Sequence, residues 1–343
     1  MGMTYAKAGV DIDGKSSAIS QLVRTLAFRR KGRGRMLDLD GHFTGLIDFG
    51  EHALSLCTDT VGTKIVVANE MKRWDTIGID CMAMNVNDMI CIGAEPLAFV
   101  DFISIDRPDP ERARQIGVGL NEGARMSNVS IIGGEIAVVP DIVSGTDLGG
   151  TCLGSVLKKD IITGAKISAG DSIIGVGASG IHCNGLTLAR KIIEKAGSGY
   201  RQKEPKLGRT WGDELLEPTE IYVRGVMAAV AKHGIHGMAN ITGGGLRNLI
   251  RLKKGLEYRF DEPLAPNRVF SALQELGKVD DREMYQTFNM GMGYAFVAPE
   301  REAKGIIQTM KKAGHRAKVV GTVAKSKVTK ATLPELGLSY DKY

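Results

Sequence analysis

Residues Gly9–Ser16 read GVDIDGKS and satisfy G-x-x-x-x-G-K-S, the phosphate-binding P-loop signature. The fold turns on whether that match is real. A P-loop is an apolar strand, then the glycine loop, then a helix. The helix is predicted over Ser17 to Arg29, where Ile19, Leu22, Val23, Leu26 and Ala27 fall on one face. The strand is missing, because MGMTYAKA is short and polar. Asp11 and Asp13 would also put negative charge where backbone N–H groups have to cradle phosphate. No apolar strand ending in a free Asp follows at the distance a P-loop uses to hold magnesium. The context argues against a P-loop.

A second glycine motif, GVGASG at Gly175–Gly180, matches G-x-G-x-x-G after the strand DSIIGV. Dinucleotide binding asks for an acidic residue about twenty positions on, at a strand end. Glu194 is near that distance but falls in a predicted helix, so a tight strand-to-helix turn is the better reading. The basic run Phe28–Arg35, FRRKGRGR, has no interleaved aromatics of the kind that stack on bases. A solvated loop is preferred there to a nucleic-acid arm.

The bulk properties agree with a soluble two-domain protein. At 343 residues the chain has length for two domains. The net charge of +6 is modest. No apolar run nears the roughly 18–20 residues that span a bilayer. The N-terminal stretch lacks the apolar core of a signal peptide, so a cytoplasmic location without membrane or nucleic-acid partners is expected. The five cysteines, Cys57, Cys81, Cys91, Cys152 and Cys183, are scattered and never spaced C-x-x-C. That argues against a disulfide framework or thiolate zinc site and for small buried hydrophobes.

Two strands are predicted around a turn at Asp48–His52, then a buried helix at Thr76–Ile92, a buried strand LAFVDFISID, and a helix with Pro110 near its start. VSIIGGE reads as a short strand entering a glycine turn, and TDLGGTCLGSVLKK as another strand. A change of unit is predicted near Lys158–Asp171, giving domains 1–165 and 166–343. Further helices are expected near Asn184–Ala196, Thr219–His233, Leu246–Leu252, Arg268–Leu276 and Arg301–Ala313. The order strand, helix, RAKVVGTVA strand closes the chain as a βαβ unit, so the fold class is α/β (α+β) with two α/β domains.

Five stretches carry chemistry. In CTDTVGTK a strand ends at Asp59, a position suited to magnesium, and Gly62, Thr63 and Lys64 offer phosphate a backbone donor, a hydroxyl and a mobile cation. A capped turn with a surface lysine explains the same residues equally well. In GIDCMAMNVNDMICIGAEP, Asn85, Asn87 and Asp88 interrupt an apolar helix, and buried polar groups are costly unless partnered. Asp88 faces either a metal or another helix. In IIGGEIAVVP, Gly133 and Gly134 admit close backbone approach and Glu135 is a further oxygen donor. In ASGIHCNGLTLAR, His182 and Asn184 precede a helix N-terminus, a natural anion site, although His182 alone could be a core histidine. In ITGGGLRNL, Thr242, Gly243, Gly244 and Gly245 open another helix. Together they suggest magnesium-nucleotide chemistry by neither the P-loop nor the Rossmann route.

These motifs, with YAKAGVDID, LLEPTEIYV and EMYQTFNMGMG, occur in the order seen in phosphoribosylformylglycinamidine cyclo-ligases, also called AIR synthetases, which the chain resembles from Tyr5 to about Val323. The resemblance implies that AGVDID belongs to that family's N-terminal segment and that GKS completes the P-loop pattern by coincidence. It implies two α/β domains, with N-terminal strands of two chains joined into a barrel in a homodimer, and a nucleotide cleft between domains. It implies a ligase that uses ATP to close the imidazole ring of formylglycinamidine ribonucleotide, giving aminoimidazole ribonucleotide, ADP and phosphate in purine biosynthesis. Carried over by motif, Asp59, Asp88 and Glu135 would hold Mg2+. Gly62, Thr63, Lys64, Gly133, Gly134 and Thr242 to Gly245 would meet ATP. His182, Asn184 and Lys64 would be catalytic, with His182 a proton carrier.

The sequence departs from that pattern in three places. Thr60 replaces a Gly, GGEIAVVP replaces GGETAEMP, and Cys183 stands in HCNG where HSNG is usual. The lost second Glu puts one ligand or substrate contact in doubt. Relatives of the same superfamily fit less well. A selenophosphate synthetase would carry a reactive Cys in a glycine-rich N-terminal segment, and a thiamine-monophosphate kinase an early Asp-Asp pair. Here the first Cys is Cys57 and the adjacent pair is Asp280–Asp281.

Overall fold

Burial alternates along the strands that follow residue 45, and that alternation makes one covered face and one open face. The computed structural model describes residues 3–4, 8–9, 12–39 and 41–342. The first sheet holds β1 (Met36–Leu37), β2 (Gly45–Phe49), β3 (His52–Thr60), β4 (Glu95–Ile105), β5 (Ser130–Val138) and β6 (Thr146–Leu157). Its six strands lie in the order β1-β2-β3-β6-β4-β5, antiparallel except for the β4–β5 pair. Ahead of it comes α1 (Ile12–Thr25). Between strands run α2 (Lys64–Met71), α3 (Ile77–Met89) and α4 (Pro110–Ser127).

Asp109 caps α4 by accepting from the Arg112 N–H, Pro110 opens it, and Asn128 ends it in the left-handed conformation. The covered face packs Cys57, Phe99 and Cys152 beneath α3 residues such as Met82, Val86 and Met89. The two helices approach so closely that a Cβ on Gly78 would strike the backbone of Leu120. The opposite face is open: Leu56 is 49% exposed, Val100 39% and Phe102 51%.

The second sheet begins with β7 (Ser172–Gly177), buried at every position. A small hairpin, β8 (Lys203–Glu204) with β9 (Arg209–Thr210), follows. Then come β10 (Gly237–Asn240), β11 (Leu256–Arg259), β12 (Met292–Ala298), β13 (Ala317–Lys325), β14 (Lys330–Leu333) and β15 (Leu338–Tyr340). The order is β10-β12-β7-β13-β11-β14-β15. Its helices are α5 (Leu186–Lys195), α6 (Trp211–Leu215), α7 (Val223–Val230), α8 (Arg268–Gly277), α9 (Asp281–Thr287) and α10 (Glu300–Lys312). Strands β12 and β13 both run antiparallel to β7 between them, so β12-α10-β13 is the expected βαβ close, split by one strand.

Several expectations change. Helix α1 runs from Ile12 to Thr25 rather than from Ser17 to Arg29, so Gly14 to Ser16 are helical, in keeping with the argument against a P-loop. Strand β5 continues through Gly133–Gly134 to Val138, so no glycine turn stands there. The Leu246–Leu252 helix is a 3-10 helix at Gly245–Arg251. The basic loop is tied to the first sheet: Arg35 pairs with Asp48 at 3.1 Å, and the Arg33 guanidinium stacks 3.8 Å over the Phe49 ring.

Candidate active site

Strand β3 delivers Asp59 next to α3, where the Asn85 amide reaches the Asp59 carbonyl at 3.4 Å. Asp88 stands near the end of α3, half-buried, and its carboxylate accepts a 2.8 Å hydrogen bond from Asn240 Nδ2. Asn240 is the last residue of β10, so this bond joins the two halves of the molecule. Burial pushes the Asp88 carboxyl from 3.8 up to about 7. The Asn240 hydrogen bond opposes that rise, the Asp59 charge adds to it, and Arg251 opposes it. Asp59 and Asp88 are therefore electrostatic neighbours.

Glu135 stands one register step from Asp59. Across the sheet Asp59 is level with Gly150, Asp101 and Gly134, while Glu135 is paired with Phe102, one residue further on. Side chains alternate along a strand, so Glu135 points to the open face. It lines a cavity of about 580 Å³ together with Thr58, Asp59, Asp101, Phe102, Asp147 and Thr151, so Asp59 and Glu135 border the same space. Among the described residues no three His, Cys, Asp or Glu side chains form a cluster that could hold a metal ion. Two facing carboxylates still suit magnesium, which is commonly held by one or two carboxylates together with substrate phosphates.

The second half contributes two glycine-rich turns. Asn184 leads into α5, and a Cβ on Gly243 would lie 3.1 Å from its Oδ1, so the turns at residues 182–185 and 242–245 touch. Gly245 has φ +52, and a Cβ there would collide with the Tyr285 carbonyl, so only glycine fits. Asn289 braces the first turn, donating to the Gly180 carbonyl at 2.9 Å. The Gly62–Thr63 turn meets α5 through a 3.0 Å contact between the Thr63 and Thr187 hydroxyls. Gly133 and Gly134 lie apart from these turns, on exposed β5.

Two side chains behave otherwise than expected. Lys64 is not a mobile cation: its side chain is fully buried, ion-paired with Asp80 at 2.8 Å and donating to the Glu217 carbonyl at 2.6 Å. A phosphate would have to displace both partners. His182 is buried in a left-handed conformation, φ +60. Its Nε2 accepts from the Ser179 N–H at 3.3 Å and the Glu220 N–H at 3.5 Å. Burial, with the Lys64 charge second, lowers it to about 3. The ring is neutral with its proton on Nδ1, which suits a hydrogen-bond donor and not a base working near neutrality. Sequence reasoning missed Asn240 and Arg251, for which no local signal exists. It also passed over Asp80, although the GIDC stretch was in view.

Comparison places this architecture in a known class. Residues 41–156 match the N-terminal domain, and residues 168–334 the C-terminal domain, of AIR synthase related proteins. A phosphoribosylformylglycinamidine cyclo-ligase of Methanosarcina acetivorans is 50% identical over 302 residues, 88% of this chain and 90% of its own. One from Methanococcoides burtonii is 47% identical over 94% of this chain and 96% of its own. The chain belongs to the phosphoribosylformylglycinamidine cyclo-ligase family. The fold is also that of AaThiL, solved in complex with AMPPCP and TMP, at 15% identity, 96% of each chain and a TM-score of 0.67.

Proposed function

We propose that this ligase uses ATP to close the imidazole ring of formylglycinamidine ribonucleotide, yielding aminoimidazole ribonucleotide, ADP and phosphate. The amide oxygen is a poor leaving group, so it first attacks the γ-phosphorus and ADP departs. A substrate nitrogen then attacks the activated carbon, the C–O bond breaks, and phosphate leaves with the oxygen. The protein's task is positioning and charge neutralisation. Magnesium, when bound, supplies that neutralisation, and Asp59 and Asp88 are the side chains that would hold it. The turns at Gly62–Thr63 and Thr242–Gly245 would receive ATP phosphates through backbone N–H groups. Asn184 and the Nδ1–H of His182 would orient the substrate. Lys64 acts behind the site.

The observation that carries the reading is the Asn240–Asp88 bond, which sets the glycine turn after β10 against the Asp59–Asp88 pair. The AMPPCP complex of AaThiL supports ATP use on this fold. The boundary is placed between residues 165 and 166, within the stretch separating β6 from β7. A homodimer would cover the open apolar face of the first sheet and close it as a barrel, with Glu135 and Gly133–Gly134 at that interface. A cytoplasmic setting follows from the pathway. Among the described residues no helix is long and apolar enough to cross a membrane.

The test measures ADP release from ATP and magnesium with and without formylglycinamidine ribonucleotide, with aminoimidazole ribonucleotide assayed colorimetrically. Substrate-dependent ADP matched one-to-one by product is expected. ADP or AMP release stimulated instead by thiamine monophosphate or selenide would move the function to a superfamily relative.

A further inference from the structure

The segment Glu217–Tyr222 has no regular secondary structure, yet both halves of the molecule grip it. From the first half, Lys64 Nζ donates to the Glu217 carbonyl at 2.6 Å. Asp80 Oδ1 accepts from the Thr219 N–H at 2.8 Å and the Thr219 hydroxyl at 2.6 Å. Asn87 donates to the Glu220 carbonyl at 2.8 Å and accepts from the Tyr222 N–H at 3.1 Å. From the second half, Ser179 Oγ donates to the Pro218 carbonyl at 2.6 Å, and His182 Nε2 accepts from the Glu220 N–H. Tyr222 Oη donates to the Gly177 carbonyl at 2.9 Å.

Side chains of the first half thus read the strap backbone at four of its six positions. Asp80 and Asn87 are two helical turns apart on α3, so they present one face. Asp88 is the residue after Asn87. Lys64 directly follows the Gly62–Thr63 turn. His182 begins the turn that carries Asn184. Any slip of the strap is a slip of Asp88 and the Gly62–Thr63 turn relative to His182 and Asn184.

The Lys64 and Asp80 side chains are both wholly inaccessible. Burying an ion pair is costly, and apolar residues of similar volume often serve stability as well or better. Asp80 Oδ2 is buried without a partner, a further cost. A buried pair of this kind is therefore weak evidence of a stabilising role.

We propose that Asp80, through Lys64 and Thr219, is a positioning residue of the reaction, which seats the strap and thereby sets the two halves of the cleft in register. The assay arm rests on the cyclo-ligase reading; the exchange arm does not. Three variants are compared with the full-length wild type: Asp80→Asn, Lys64→Met, and the two combined. Asp80→Asn keeps an acceptor for Thr219 but loses the charge. The expected result is a fall in kcat of about tenfold or more, with KM for ATP moving less than about threefold, the signature of lost transition-state geometry. The double variant removes both buried charges, so its melting temperature is expected to return toward wild type while kcat stays low. Hydrogen exchange is expected to quicken at residues 179–184 and 217–222 in Asp80→Asn, with the first sheet unchanged.

Wild-type kcat in either Asp80 variant would overturn the proposal, as would recovery of kcat together with stability in the double variant. If wild type itself makes no aminoimidazole ribonucleotide, the cyclo-ligase reading fails separately. Exchange at residues 179–184 then decides the positioning claim, and unchanged exchange there would refute it.

Discussion

Asp88 offers the sharpest test of the site's electrostatics. Its carboxyl is pushed up to about 7 in the folded protein, against an ordinary value of 3.8. Burial raises it, so folding prefers the neutral acid. The stability that neutral Asp88 supports is fully present below pH 3.8. It declines as the unfolded chain ionises first, and the loss is complete once pH has risen through about 7. At 1.36 kcal/mol per pH step, the cost is about 2 kcal/mol at pH 5 and about 4 kcal/mol at pH 8. Asp88→Asn abolishes that cost while keeping an oxygen for the Asn240 amide. For a chain of this length, roughly 1.4 °C accompanies each kcal/mol. Without metal or nucleotide, Asp88→Asn should therefore melt about 2–3 °C above wild type at pH 5 and about 6 °C above it at pH 8. Magnesium with ATP should reverse the order, because the ionised carboxylate then has a cation to meet. Thermal denaturation at the two pH values, with and without magnesium-ATP, is the assay. A gain equal at both pH values, or a loss that grows with pH, would refute the account.

His182 carries the opposite sign. Its pKa is depressed from 6.5 to about 3, so its contribution is present above 6.5 and lost as pH falls through about 3. Denaturant melts of His182→Gln at pH 4, 5 and 6 should show a pH slope shallower by about one proton, near 1.4 kcal/mol per pH step. Phe102→Glu places a charge on the open sheet face, where Phe102 is 51% exposed, and light scattering should show the proposed homodimer for wild type and a monomer for the variant. A Cβ on Gly293 would collide with the Tyr222 hydroxyl and lie 2.7 Å from His182 Cε1. Gly293→Ala should therefore cost about 1–3 kcal/mol in denaturant melts and lower kcat as well. Four of the five cysteines are buried, and burial pushes the Cys183 thiol well up. Iodoacetamide at neutral pH should label native protein far more slowly than unfolded protein, which mass spectrometry would count.

What the sequence disclosed followed from how local each signal is. Asp59 and Asp88 stand out in the sequence because each is a charge at the edge of an apolar run, and such a group needs a partner or a ligand. The helix at residues 76–92 and the βαβ close were legible because their periodicities extend over many residues. Lys64 was misread because a lysine after Gly-Thr looks the same whether it faces water or a buried carboxylate. The difference lies in Asp80, 16 residues on, and in Glu217, 153 residues on. Glu135 lies one step of register from Asp59, since β5 runs on past the glycines, although both side chains border one cavity. In both cases the residue type does not disclose what the side chain faces. That is why the strap escaped: EPTEIY has no periodicity and no capping signal, and its importance lies in backbone groups that any sequence would offer. Lys64, Asp80, Asn87, Ser179 and His182 reach those groups from both halves at once, so the register of the cleft is written in the side chains around the strap.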